Sequence, residues 1–201
     1  MRNFNSPRIL KDSFNGPMPI EIRDSLLKNR IIILDTEIDS AASSSIIEQL
    51  LFLETDDSGK EIKMLINSPG GEINAGLAIY DVMNLISSPV SCICTGLAAS
   101  MASVLFSSGK KRLMLPHSRL MIHDPLITKT GGSTSDIKKI CDSMMETRKI
   151  LAEILANNCG KTVEEIYTYT AADTYFTASE SIEFGLADEI LSDSTFFTSE
   201  N

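Results

Sequence analysis

Apolar runs and helical patterns alternate along the first half of the chain. Three apolar runs with strand character begin at Ile31, Ile62 and Val90. Each is followed by a stretch with the period of an amphipathic helix, near residues 42–53, 75–86 and from 100 onward. Continuous apolar strands separated by helices are typical of a parallel sheet with helical crossovers. The pattern therefore predicts an α/β fold, and two shorter runs add strands near residues 112–115 and 119–122.

A single long helical pattern covers residues 134–158, and Gly160 follows it as a stop signal. A helix of this length spans roughly 36 Å, more than a domain of this size covers. We therefore expect it to project from the domain and to pack on another subunit. Two short helices follow, opened by the capping boxes Thr162–Glu165 and Thr177–Glu180.

The two ends of the chain lack this patterning. Residues 1–20 have little periodicity and contain three prolines, so we predict a flexible or partner-dependent N-terminal arm. Residues 21–193 are expected to form one domain, because a chain of 201 residues suffices for one sizeable core and is short for two. Residues 194–201 are expected to be a C-terminal tail.

Charge and hydropathy narrow the range of partners. The chain has 18 basic and 27 acidic side chains, a net charge of −9, and no basic stripe, which argues against nucleic acid as a partner. The first residues include no apolar segment of signal-peptide length. No run approaches the roughly 18 apolar residues of a membrane helix. We therefore expect a soluble, cytoplasmic chain that does not bind membranes.

The cysteines give no sign of a metal site. Cys92, Cys94, Cys141 and Cys159 show no C-x-x-C pairing, and no histidine stands at zinc-finger spacing from them. Cys92 and Cys94 alternate along an apolar strand. We interpret the cysteines as core residues in a reducing compartment rather than as a redox or metal pair.

Two motifs beside predicted helices can serve acyl-transfer chemistry. Gly70 and Gly71 lie between a strand and a helix, where exposed N–H groups can stabilise negative charge, although a simple tight turn explains them equally well. Ser100 lies among small residues at a predicted helix start. It is either a nucleophile or an N-cap serine, and its surroundings do not match the G-x-S-x-G elbow.

A general base and an orienting acid complete the set of candidates. The chain has two histidines: His123 ends an apolar strand, whereas His117 lies in a turn and is expected to face solvent. Asp124 is adjacent to His123, but strand alternation points its side chain away. Asp173 lies in a polar loop before a capping box. Spacing alone does not select it over other acids.

Four segments together closely resemble the ClpP family of caseinolytic serine peptidases. They are NSPGG at residues 67–71, GLAASMAS at 96–103, SRLMIHDP at 118–125 and ADTYFTASESIEFGLADEI at 172–190. The similarity runs from about residue 26 to 191. It implies a ClpP/crotonase-like spiral of β-β-α units in which the long helix is a projecting handle. It also implies the catalytic residues Ser100, His123 and Asp173, with Gly71 and Met101 donating the oxyanion-hole amides.

The resemblance further implies an assembly and a substrate. Family members form two stacked seven-membered rings around a closed chamber and receive unfolded polypeptides from a ring-shaped Clp ATPase. ATP is used by that ATPase, so the chain itself is expected to need no cofactor and no metal. The expected activity is that of a serine endopeptidase that cuts unfolded proteins to short peptides.

Several segments depart from the family pattern. Residues 109–112 make a shorter bridge between Ser100 and His123 than usual, and residues 126–132 replace a glycine-rich substrate-pairing strand. Ala171 and Ala172 stand where an acid and an arginine commonly pair across the ring contact. Residues 19–24 lack the usual tyrosine. These departures favour, as an alternative, a ClpP-like subunit that is weakly active alone and works in mixed rings with a paralogue.

An acyl-CoA enzyme of the same spiral fold is a third hypothesis, which the presence of Ser100, His123 and Asp173 disfavours.

Overall fold

The computed structural model describes residues 7–13, 16–126 and 131–192. Helices in this part of the chain are α1 (Ile22–Lys28), α2 (Ser40–Asp56), α3 (Ile73–Leu85), α4 (Met101–Ser107), α5 (Thr134–Cys159), α6 (Val163–Thr170) and α7 (Ala178–Phe184). Strands are β1 (Arg8–Ser13), β2 (Gly16–Glu21), β3 (Ile31–Leu34), β4 (Ile62–Ser68), β5 (Val90–Ala99), β6 (Arg112–Met114), β7 (Arg119–Ile122), β8 (Thr174–Thr177) and β9 (Glu189–Ile190).

A mostly parallel sheet of seven strands forms the centre of the domain. Strands β3, β4, β5, β6 and β9 follow one another in that order, while β7 pairs with β5 and with β8. All of these pairings are parallel except that of β7 with β8. The predicted mixed α/β fold is therefore confirmed. The predicted strand starts at residues 31, 62, 90, 112 and 119 are also those of the structure.

Strand β5 is longer than its apolar run predicted. The expected strand ended near Cys94, but β5 continues to Ala99. Beyond Thr95 and Gly96, the side chain of Asn67 supports the strand, because its Oδ1 accepts a hydrogen bond of 3.0 Å from the N–H of Leu97. The first half of β5 pairs with β6 and its second half with β7. The extension brings the end of β5 beside the end of β7.

The long helix predicted over residues 134–158 is present as α5. Ser133 and Asp136 form a capping box at its start, and Gly160 closes it in the left-handed conformation with φ 65°. Residues 134–143 are exposed or only partly covered, while Ala152, Leu155 and Ala156 are buried against the core. Three apolar side chains along α5 remain exposed: Ile137, Met145 and Ile150. The packing of this helix on another subunit stays a prediction.

The region expected to be an irregular arm contains a hairpin. Strands β1 and β2 pair antiparallel, with Arg8 opposite Glu21 and Ser13 opposite Gly16. Pro17 and Pro19 interrupt the sequence pattern that would predict a strand at β2. Each strand of a two-stranded ribbon has one unpaired side, where proline's missing N–H costs little. The rest of the predicted arm, residues 1–6 and 14–15, and the tail over 194–201 lie outside the described residues.

The core lies between the sheet and helices α2, α3 and α4. Its largest fully buried side chains include Phe106, Ile32, Leu50 and Ile79. Cys92, Cys94 and Cys159 are buried and Cys141 is exposed, and all four are free thiols. Burial raises the pKa of the Cys92 thiol to about 12. Among the described helices, none combines the length and the apolar character that crossing a membrane requires.

Candidate active site

Ser100 occupies a sharp turn between β5 and α4. Its backbone has φ 54° and ψ −123°, a conformation that costs a non-glycine residue on the order of 1–3 kcal/mol. The surroundings hold it there: its N–H donates to the carbonyl of Met121 (2.9 Å), and its carbonyl accepts from the N–H of Ser103 (3.0 Å). The hydroxyl makes no capping hydrogen bond to α4. Ser100 therefore stands at the N-cap position of α4 without capping the helix, and its hydroxyl is left for another partner.

That partner is His123. The Nε2 of His123 lies 2.7 Å from the Oγ of Ser100, and the histidine side chain is 12% exposed. The contact follows from strand pairing, because Ala99 at the end of β5 lies opposite Met121 in β7. Ser100 is the next residue after Ala99, and His123 is the second residue after Met121. The other histidine, His117, is exposed, as its position in a turn predicted.

Asp173 lies beside His123 through a second strand pairing. Strand β8 begins at Thr174, which pairs with Ile122, so the preceding residue reaches the histidine. The Oδ1 of Asp173 is 3.4 Å from the Nδ1 of His123, and the aspartate side chain is 62% exposed. This separation exceeds that of a short N–H···O hydrogen bond. The structure thus brings all three predicted residues together, with the histidine closer to the serine than to the aspartate.

The paired glycines lie against the start of α4. Gly70 and Gly71 have φ 91° and 152°, values that favour glycine. The turn is held by Ile38, whose N–H donates to the carbonyl of Gly70 (2.8 Å) and whose carbonyl accepts from Glu72 (2.7 Å). In a parallel bridge of this kind, the N–H of Gly71 points away from Ile38. The turn is tight, as the simpler interpretation required, and it also leaves a backbone donor beside Ser100.

A second backbone donor belongs to Met101, the first residue of α4. The N–H groups at a helix start have no acceptor within the helix. Across residues 7–13, 16–126 and 131–192, neither Met101 nor Gly71 donates its N–H to another backbone or side-chain acceptor. Two N–H groups are therefore available as donors, and both residues line the same cleft as Ser100.

These groups open into a cleft of about 840 Å³. Helix α5 supplies one wall, through Met144, Leu151 and other side chains. Leu126, which is exposed, lies at the edge of the cleft. Most of the segment that replaces a substrate-pairing strand, residues 127–130, lies outside the described residues. The cleft has an apolar wall beside a polar reacting centre, an arrangement that suits an extended peptide.

Sequence reasoning missed several residues of the site. Gly76 packs under the side chain of Met101, where any Cβ would collide with it. A lone glycine in a helical pattern is a signal of such close packing. Asp124 points away from His123, as strand alternation predicted, and it binds Arg148 and Thr170. No pattern in the sequence indicated that contact.

Among the described residues, no cluster of three or more histidine, cysteine or acidic side chains could hold a metal ion.

A comparison with known protein families agrees with this architecture. The sequence model of the Clp protease family matches residues 15–194, which is most of the chain and includes every strand and helix of the central sheet domain. The mixed α/β fold with its mostly parallel sheet is that of ClpP-type peptidases. By this match, the chain belongs to the Clp protease family.

Proposed function

We propose that this chain is a serine endopeptidase, the proteolytic subunit of an ATP-dependent Clp protease. Its substrates are unfolded polypeptides, which it cuts to short peptides in the cytoplasm. Family membership makes the chain a peptidase of the ClpP type. The observation that carries the finer proposal is the 2.7 Å contact between the Oγ of Ser100 and the Nε2 of His123 at the mouth of the cleft. A serine held in a strained turn against an imidazole is the arrangement of an activated nucleophile.

The proposed mechanism assigns one role to each of these residues. The Nε2 of His123 takes the proton of Ser100 as its Oγ attacks the peptide carbonyl carbon. Negative charge develops on the carbonyl oxygen, and the N–H groups of Gly71 and Met101 stabilise it. The imidazolium is stabilised by Asp173 and then gives its proton to the leaving amine. Water, deprotonated by the same histidine, attacks the acyl-serine, and the returned proton restores the Ser100 hydroxyl.

The assembly proposal rests on helix α5. Members of the family form oligomers and have partner ATPases. We propose that copies of this chain form two stacked seven-membered rings that enclose the active sites, with α5 at the contact between the rings. The exposed apolar residues Ile137, Met145 and Ile150 on α5 support this assignment. A ring-shaped Clp ATPase would deliver the substrate and use the ATP, so this chain needs no cofactor of its own.

Intact-mass analysis after treatment with a fluorophosphonate tests the nucleophile. The reagent phosphonylates an activated serine and releases fluoride, so one adduct per folded chain is expected. The Ser100→Ala variant should carry none. Ser108→Ala is a matched control, because Ser108 flanks the opposite end of α4 and its hydroxyl bonds only Val104 and Asn158. An adduct that persists in Ser100→Ala would overturn the assignment.

One observation favours the alternative of mixed rings with a ClpP-type paralogue. In the single chain, His123 and Asp173 are 3.4 Å apart and the aspartate is 62% exposed. A neighbouring subunit could cover Asp173 and bring it closer. Because Ala171 and Ala172 precede it, Asp173 is the one charged side chain of residues 171–173. Sizing the purified chain with and without a paralogue tests this alternative. It is supported if a double ring forms only in the mixture and fluorophosphonate labels the chain only there.

A further inference from the structure

Asp124, the residue after His123, joins the end of β7 to two other elements. Its N–H donates to the carbonyl of Thr170 (2.8 Å), and its Oδ1 accepts from the Thr170 hydroxyl (2.7 Å). Its Oδ2 accepts from the Nε of Arg148 (2.8 Å). Thr170 ends α6 and Arg148 lies on α5. One residue therefore ties the strand that carries the histidine to both helices.

The loop that carries Asp173 is anchored at both ends to residues that flank His123. On one side, Thr174 pairs with Ile122 in the sheet. On the other side, Thr170 is buried and bonded to Asp124. Residues 171–173 between these anchors are exposed. The Thr174 hydroxyl also lies within hydrogen-bond distance of the carbonyls of Tyr169 (2.6 Å) and Ala172 (3.3 Å), which closes the loop on itself. The two anchors therefore set where this closed loop, and with it the Asp173 carboxylate, lies relative to the imidazole.

Arg148 connects the Asp124 anchor to the wall of the cleft. Its guanidinium carbon lies 3.9 Å from the centroid of the Tyr167 ring on α6, a cation–π contact. The side chains of Arg148 and Asp124 are 25% and 34% exposed, so their ion pair is half-buried. Because Arg148 holds both Asp124 and α6, a shift of α5 reaches the Asp173 loop through this pair.

We infer that Asp124 is a positioning residue for the reaction. Through its bonds to Thr170 it fixes the Asp173 loop against His123, and through Arg148 it couples that loop to the position of α5. The inference rests on the proposed function, since it concerns how the proposed triad is aligned. Asp124 lines the cleft, but both of its carboxylate oxygens are bonded to Thr170 and Arg148, so it acts through these two residues. A change of about 1 Å in such an alignment can cost on the order of 100-fold in rate.

Substitutions at Thr170 and Asp124 test the anchor in the full-length oligomer. Asp124→Ala and Thr170→Val should each lower kcat for a short fluorogenic peptide about tenfold and leave KM unchanged, because alignment and not binding is lost. Thr170→Ser keeps the hydroxyl and should retain parental kcat. Because the Thr170 hydroxyl and the Asp124 carboxylate act through the bond between them, the double variant should be no slower than the slower single variant. Thr168→Val is the matched control, since Thr168 lies exposed on the same helix and bonds only Glu164.

Amide hydrogen exchange of residues 171–176 gives a readout that does not depend on activity. Exchange should become faster in Asp124→Ala and Thr170→Val but not in Thr170→Ser or Thr168→Val. If the parent does not react with a fluorophosphonate, the proposed function fails, and this exchange pattern still decides the anchor. Unchanged exchange, additive losses in the double variant, or a rise in KM with constant kcat would each overturn the inference. If Asp124→Ala does not fold, Thr170→Val tests the inference by itself, because valine is nearly isosteric with threonine.

Discussion

A Cβ placed on Gly70 would lie 2.8 Å from the Cβ of Ser100 and 2.5 Å from the carbonyl oxygen of Ala99. The glycine turn and the serine turn are thus packed backbone to backbone, with no room for a side chain between them. Gly71, the next residue of the glycine turn, lines the same cleft as Ser100. The glycine is needed here for space as well as for its backbone angle.

The Gly70→Ala substitution should therefore displace Ser100 and slow its labelling by a fluorophosphonate by about 10- to 100-fold. The left-handed φ of 91° adds a cost of about 1–2 kcal/mol to folding. Gly59→Ala separates the two effects, because Gly59 has φ 81° but open space around its Cβ position. It should lose stability and keep the parental labelling rate. Labelling of Gly70→Ala at the parental rate would show that the close contact has no role.

Much of the fold was predictable because buried parallel strands leave continuous apolar runs. The starts of β3, β4 and β5 could be read from such runs. Strand β8 could not be predicted, since Phe176 is the one buried side chain among its four residues and the strand depends on pairing with β7. For the same reason spacing did not select Asp173, whose position beside His123 follows from that pairing. The link from Asp124 to Arg148 depends on how α5 packs on α6, which no local pattern records.

Arg112 is expected to hold the end of α5 to the rest of the domain. One guanidinium nitrogen donates to the carbonyls of Asn158 and Gly185, both at 2.7 Å, and the other nitrogens bind Asp188. Lysine keeps the charge but cannot make this fork of bonds. Arg112→Lys should therefore lower the free energy of unfolding by about 2–3 kcal/mol. Urea denaturation at fixed protein concentration measures this loss of stability. Lys110→Met, at an exposed position, is the control and should change the free energy of unfolding by less than about 0.5 kcal/mol.

Glu54 should make stability depend on pH in the acid range. Hydrogen bonds from Ser88 and then Ser58 lower its pKa from 4.5 to about 2. A carboxylate with a depressed pKa in the folded state contributes stability above its unfolded pKa and loses that contribution as pH falls through the folded value. Glu54→Gln should thus be less stable than the parent at pH 7, and the gap should close between about pH 4.5 and 2. Urea midpoints at pH 7, 4 and 2.5 test it. Glu48→Gln, at an exposed position of the same helix, is the control for the loss of a surface charge.

The two histidines allow a matched test of the general base. His123 contacts Ser100 at 2.7 Å, whereas His117 is exposed in a turn. His123→Ala removes the proton acceptor, so peptide hydrolysis and phosphonylation of Ser100 should fall by about 10²- to 10⁴-fold. His117→Ala should leave both rates within about twofold of the parent, provided that both variants assemble to the parental size by gel filtration. Equal losses in the two variants would mean that the imidazole at 123 does not activate the serine. A loss confined to His123→Ala, in a variant that keeps its assembly and stability, would place proton transfer at the 2.7 Å contact that the fold builds from the ends of β5 and β7.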